Sequence, residues 1–247
     1  MTGAVAFDRS DKLDQLCCMI TPFADNIWIT NGPTVHVAGF HYPTRMAVIR
    51  LATGGLFIWS PVALTDTLRA EIDARGTVAH IVAPNTLHHV FLSDWCRAYP
   101  QAKCHGPAKL HKKRRDISFD TDLTEATEAE WHDDIAQIPL TGNLITTEVV
   151  FFHRTSGTVL FTDFLQQIPS ELLAGWRAYV ARIDKMTGAE PQVPLKFRLA
   201  WYNRRAARNA VSTILDWPVE RVLMAHGTPV TQDAPAFIRR AFRWLIA

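Results

Sequence analysis

Two stretches in opposite halves of this chain carry the same local pattern, and that repetition restricts the fold more than any other feature of the sequence. Leu51-Ala52-Thr53-Gly54-Gly55-Leu56-Phe57-Ile58-Trp59-Ser60-Pro61 aligns with His153-Arg154-Thr155-Ser156-Gly157-Thr158-Val159-Leu160-Phe161-Thr162-Asp163. Each reads as a tight hairpin, a glycine-containing turn between apolar runs. Each is followed by helical sequence and then a buried strand: His80-Ile81-Val82-Ala83-Pro84-Asn85 in the first half answers Arg221-Val222-Leu223-Met224-Ala225-His226 in the second. Two such β-β-α-β units that each bury an apolar sheet pack sheet against sheet, with helices outside. The expected fold is therefore α/β, an αββα four-layer sandwich in one domain over 1–247. Its pseudo-symmetric halves lie at about 19–115 and 135–230, and a C-terminal helix follows at 232–247.

The rest of the chain supplies the material for that fold. Apolar residues make up 48% of its 247 residues and charged residues 20%, enough for a sizeable core. Val78 to Ala83 is a nearly continuous apolar run, the pattern of a strand buried on both faces. Leu64, Leu68 and Ile72 recur every four residues before Gly76 and predict a short helix. Further helices are expected at about 90–99, 170–185, 197–215 and 234–245. The acidic, polar stretch Asp116 to Asp134 reads as a surface excursion. Trp28, Trp59, Trp95, Trp176, Trp201 and Trp217 fall in apolar segments and are expected mostly in the core.

Charge and cysteine content exclude several classes. Lysine and arginine total 26 against 24 acids, too even for general nucleic-acid affinity. The basic run His111 to Arg115 reads as a solvated loop, and Arg204, Arg205 and Arg208 as a basic helix face. No stretch approaches the ~18 uncharged apolar residues of a membrane span, and Met1 to Asp14 lacks the apolar centre of a signal peptide. Cys17, Cys18, Cys96 and Cys104 form no C-x-x-C pair, so reduced structural thiols in a cytoplasmic protein are expected.

Candidate chemistry lies at the strand ends, where loops on a rigid sheet carry polar residues. Asp163 and His226 follow neighbouring strands of the second half, and Pro61 and Asn85 occupy the equivalent places in the first. With Thr162-Asp163 and Ala225-His226-Gly227 so placed, the chain resembles the metallo-β-lactamase-like superfamily from about Asp25 to Pro229. It resembles in particular a degenerate group with Arg45-Met46 before the first hairpin, Ser60-Pro61-Val62 after it, an Ala83-Pro84-Asn85…His loop and a terminal His226-Gly227. The resemblance implies the αββα sandwich, in a superfamily that includes lactamases, glyoxalase-type thioesterases and nucleases.

The superfamily motif H-x-H-x-D-H falls on Asn85-Thr86-Leu87-His88-His89-Val90, and its Gly-His-Thr turn on Gly142-Asn143-Leu144. Its metal-bridging aspartate falls on Asp163 and its last histidine on His226. A two-zinc site needs about six protein ligands, so an ordinary two-metal lactamase or thioesterase is not expected. One divalent ion, zinc or else iron or manganese, is within reach of His88 or His89 together with Asp163 and His226. An open position on such an ion makes a nucleophile from water, with Asn85 orienting the water or a substrate carbonyl. The adjacent His88 and His89 are not both expected to face one site. Competing readings make Asp163 a cap, His226-Gly227 a turn set by glycine's backbone freedom, and His153 a core histidine. Glu148, in an apolar run, needs a partner, either Arg45 or a site residue. Three functions stay open: a one-metal hydrolase of a small ester or thioester, a metal-free ligand-binding or structural domain, and a mononuclear iron oxidoreductase. The expected partner is a small molecule, not nucleic acid or membrane.

Overall fold

The computed structural model describes residues 19–37, 39–126, 128 and 130–247, so Cys17 and Cys18 lie outside the described residues. The first sheet runs β1 (Thr21–Ala24), β2 (Ile27–Val37), β3 (Phe40–Arg50), β4 (Leu56–Trp59), β5 (Val78–Val82), β6 (Lys103–Gly106) and β7 (Thr121–Asp122) in spatial order. The second has β11 (Arg221–His226), β10 (Thr158–Gln166), β9 (Glu148–His153) and β8 (Ile135–Leu140) side by side. The two repeated stretches are the β3–β4 and β9–β10 hairpins, one in each sheet, and each second strand pairs in parallel with the strand after the next helical segment.

All four residues of β4 are buried because both faces of the strand are covered. Phe57 and Trp59 point between the sheets, where they meet Val149, Phe151, Leu160 and Leu223. Leu56 and Ile58 point outward against α1 (Asp66–Asp73), α2 (Leu92–Ala98) and α3 (Ala108–Lys113), through Leu68, Ile72, Trp95 and Leu110. On the other side Val150, Phe152, Val159 and Phe161 pack on Phe197 of α5 (Leu195–Ala200), Val211 of α6 (Arg204–Asp216) and Phe237 and Phe242 of α7 (Ala234–Ile246). These are the four layers of an αββα sandwich. α4 (Trp176–Ile183) buries only Ala181.

Several expectations need correction. The segment 116–134 is not a plain surface excursion: it contains β7, and Leu123 and Trp131 close one end of the inter-sheet core. The helices expected at 170–185 and 197–215 are each broken, the first into a 3-10 turn at Ser170–Leu172 and α4, the second into α5 and α6 around Trp201–Asn203. Trp176 is exposed rather than in the core. Cys96 of α2 and Cys104 of β6, with Cα atoms 6.7 Å apart, are joined in a disulfide instead of standing as free thiols. Among the described residues no helix is long and apolar enough to cross a membrane.

Buried polar groups at the far end of the sandwich make the fold sensitive to pH. His80 Nδ1 lies 3.1 Å from His105 Nε2, and His105 Nδ1 lies 2.7 Å from Thr121 Oγ1, with Trp131 edge-on to both rings. Burial pushes the His80 pKa down to about 4. Burial, with His80 and Lys103 nearby, pushes His105 to about 3. In the unfolded chain both take up a proton near pH 6.5. Stability from keeping them neutral is therefore complete above pH 6.5 and is lost as pH falls toward 4. Urea unfolding should show His105→Gln losing less stability than wild type between pH 6.5 and 4.5, by about 1–3 kcal/mol. Parallel curves for the two proteins would refute this.

Candidate metal centre

The carboxyl ends of β5, β10 and β11 meet at one edge of the sandwich. There β10 departs from its register with β11 between Phe161 and Gln166. The departure is held by Glu148 of β9, whose buried carboxylate accepts from the backbone N–H groups of Thr162 (2.7 Å), Asp163 (2.7 Å) and Phe164 (3.0 Å). Burial and the nearby Asp163 charge raise the Glu148 pKa to about 7, against the opposing pull of those donors. Glu148 therefore does not pair with Arg45. Arg45 instead donates to the carbonyls of Met224 (2.9 Å) and Gly227 (2.5 Å), clamping β3 to the end of β11.

Asp163 is buried beside Asn85. Asn85 Nδ2 donates to Asp163 Oδ2 (2.7 Å) and Thr162 Oγ1 (2.8 Å), while its Oδ1 accepts from the N–H groups of Leu87 and His88. Gln166 Nε2 donates to Asp163 Oδ1 at 2.9 Å. His88 Nε2 stands 3.3 Å from Asp163 Oδ2 and 3.0 Å from His226 Nε2, and His226 Nε2 is 3.7 Å from Asp163 Oδ1. Burial favours a higher Asp163 pKa, but the two imidazoles and the Asn85 amide outweigh it and hold the group below the usual carboxylate range. Burial and the neighbouring His88 push His226 down to about 4, against the pull of Asp163.

The outer ring nitrogens are fixed. His226 Nδ1 donates to the Pro43 carbonyl at 2.6 Å, so the neutral ring turns the lone pair of Nε2 toward His88 and Asp163. His88 Nδ1 lies 2.7 Å from Ser60 Oγ, and Ser60 adopts a left-handed backbone with φ 55°. Among the described residues these three are the group whose His, Cys, Asp or Glu ligand atoms all lie within 4.8 Å of one another.

The structure thus brings Asn85, His88, Asp163 and His226 together and leaves His89 aside. The His89 ring faces Arg114, 3.1 Å away, and Arg114 also donates to the His89 carbonyl. Leu87 and Val90, at two histidine positions of the superfamily motif, are apolar and partly exposed. Asn143 is taken up by a bond to the Phe197 carbonyl. Gly227 is not among the glycines with positive φ. A Cβ there would stand 3.2 Å from Gln167 N, a tight approach that the neighbouring backbone would have to give way to. His153 is a core histidine, 2.8 Å from Ser156 Oγ. Sequence reasoning missed Ser60, Gln166 and the Pro43 carbonyl. Ser60 carried a signal in its Ser60-Pro61-Val62 context, whereas nothing in the sequence distinguished Gln166.

Comparison with known proteins agrees with this architecture. The family model described as "Domain of unknown function (DUF4336)" matches residues 24–182. This chain belongs to the DUF4336 family. No curated protein matches it. Solved structures place this DUF4336 member in the metallo-β-lactamase fold. The metal-soaked Flv1 flavodiiron core of Synechocystis sp. PCC6803 superposes with a TM-score of 0.61 at 12% identity, over 92% of this chain and 60% of that one. The DIM-1 metallo-β-lactamase superposes at 0.61 with 16% identity, over 92% and 96% of the two chains. The mono-zinc form of FIM-1 from Pseudomonas aeruginosa superposes at 0.61 with 10% identity, over 93% and 96%. At these identities the likeness is one of fold.

Removing the Glu148 carboxylate should strand three buried N–H groups. Each costs about 1–3 kcal/mol when left unpaired, so Glu148→Ala should lose at least about 3 kcal/mol in urea unfolding. A loss under about 1 kcal/mol would show that the β10 departure holds without it.

Proposed function

We propose that this chain is a one-metal hydrolase acting on a small ester or thioester, its ion held by His88 Nε2, Asp163 and His226 Nε2. The supporting observation is the spacing of the donors. Ligand atoms 2.0–2.1 Å from a tetrahedral ion lie about 3.3–3.4 Å apart; here His88 Nε2 is 3.0 Å from His226 Nε2 and 3.3 Å from Asp163 Oδ2, and His226 Nε2 is 3.7 Å from the other carboxylate oxygen, Oδ1. The donor chemistry fits as well: two imidazoles and one ionised carboxylate, each with its remaining polar atom already bonded, the outer arrangement that fixes ligands to a metal. A divalent ion bound there supplies a Lewis acid and generates a nucleophile from water near neutral pH.

The chain's own residues do the positioning. Asn85 and Gln166 fix the rotation of the Asp163 carboxylate from both sides. Ser60 accepts the Nδ1 proton of His88 once Nε2 is a ligand, and Pro43 does the same for His226. Apolar walls around the trio, from Phe40, Leu87 and Phe197, limit water at the reacting carbonyl. The same donor set suits a mononuclear iron centre, and metal identity separates the two readings.

Elemental analysis of the purified chain should find one equivalent of zinc, iron or manganese, and Asp163→Ala should retain none. Ser60→Ala should bind the ion about 10–100-fold more weakly. Zinc-dependent hydrolysis of p-nitrophenyl acetate should fall to the buffer rate in Asp163→Ala. Retention of no metal would favour the ligand-binding reading, and an iron-loaded protein that consumes oxygen without cleaving esters would favour the oxidoreductase.

A further inference from the structure

The trio sits at the floor of a cavity of about 790 Å³, within the range of pockets that enclose a whole small molecule. Its walls come from the tip of the β2–β3 hairpin, the 87–91 loop, α4 and α5, and they are mostly hydrocarbon. Around its mouth stand apolar side chains that no neighbour covers in the described structure: Val37 at 55% exposure, Ile183 at 52%, Val90 at 58% and Leu199 at 72%. α4 adds exposed Trp176 and Tyr179 to the same side, with Trp176 edge-on to Phe40 at 5.8 Å between ring centres. Isolated exposed apolar residues are ordinary, but a contiguous rim of them around a polar trio marks a binding site.

Two lysines line the cavity. Lys196 Nζ is 3.1 Å from Asp184 Oδ2 and lies over the Tyr42 ring. Lys113, at the rim, donates to the Thr86 carbonyl at 3.0 Å. Away from the trio, a carboxylate or phosphate buried among these walls would lack a counter-ion. One polar atom is left over. Gln166 is buried, and its amide must turn Nε2 toward Asp163, because an ionised carboxylate only accepts. Its Oε1 is buried with no donor among the described residues, and Gln166 is one of the residues lining the cavity.

From this we propose that the substrate is a fatty-acyl ester or thioester, its uncharged acyl chain lying in the apolar cavity and its carbonyl at the trio. The inference rests on the hydrolase reading above. In the reaction, water adds to the acyl carbon as the C–O or C–S bond breaks. The alcohol or thiol leaves with one proton, and the carboxylic acid remains.

Two measurements on the full chain test this, and they fail separately. With zinc-loaded protein, kcat/KM for p-nitrophenyl esters of two to ten carbons should rise about fourfold per methylene, the increment expected for burying one CH₂, and Ile183→Lys should flatten the rise beyond eight carbons. With metal-free Asp163→Ala, calorimetric titration with methyl ketones of four to ten carbons should show the same affinity slope and a negative heat-capacity change. Hydrolysis with no dependence on chain length overturns this inference and leaves the hydrolase reading standing. Length-dependent ketone binding without any ester hydrolysis upholds the apolar site and overturns the hydrolase reading. Flat series in both, including the case of a second copy of the chain covering the rim, overturn the proposal.

Discussion

One amide side chain joins the two halves of this molecule at the place where chemistry can occur. Asn85 follows β5 of the first sheet, and its oxygen accepts from the two N–H groups that begin the next turn. Its nitrogen donates to Thr162 and Asp163 of the second sheet. Donors on one side and acceptors on the other leave the amide a single orientation. His88 is carried on that turn, so the bonds that orient Asp163 also place His88 opposite it. His226 is brought in by a different route, through the parallel pairing of β10 and β11 and the Arg45 clamp on the Gly227 carbonyl.

The site is assembled from groups that are costly to bury and are compensated locally. Glu148 and Asp163 are two buried carboxylates, on adjacent strands of one sheet. Glu148 is met by three backbone donors, and Asp163 by two amides and two imidazoles. Glu148 shapes the end of β10 without facing the cavity, whereas Asp163 faces it. His226 stays neutral because burial opposes its protonation, and a neutral imidazole is the form that offers a lone pair. These arrangements explain why the polar trio survives inside a cavity whose remaining walls are hydrocarbon.

Much of the fold was legible because its main signal was repetition. The β3–β4 and β9–β10 hairpins share glycine-containing turns and doubly buried second strands, and both features follow from simple periodicity. Asp163 and His226 were legible as polar residues near the ends of neighbouring strands, at the places that Pro61 and Asn85 take in the first half. Less legible were features set by tertiary contact. The adjacent histidines are alike in sequence, and only the Arg114 guanidinium that occupies His89 separates them. Trp131 lies in an acidic stretch that reads as surface, yet it fills the end of the inter-sheet core beside His80 and His105. The helix breaks near Leu173 and Trp201 carry no proline at the break itself, so periodicity ran through them. Gln166 acquires its role from the irregularity of β10, which no local pattern announces.

One ion held by two imidazoles and one carboxylate underlies the proposed chemistry. X-ray absorption of zinc in the full chain tests that coordination directly. The expected spectrum has two imidazole ligands and oxygen donors at about 2.0–2.2 Å. A zinc–zinc vector near 3.5–4 Å, sulfur in the first coordination sphere, or a spectrum unchanged when His88 and His226 are both replaced by alanine would contradict it.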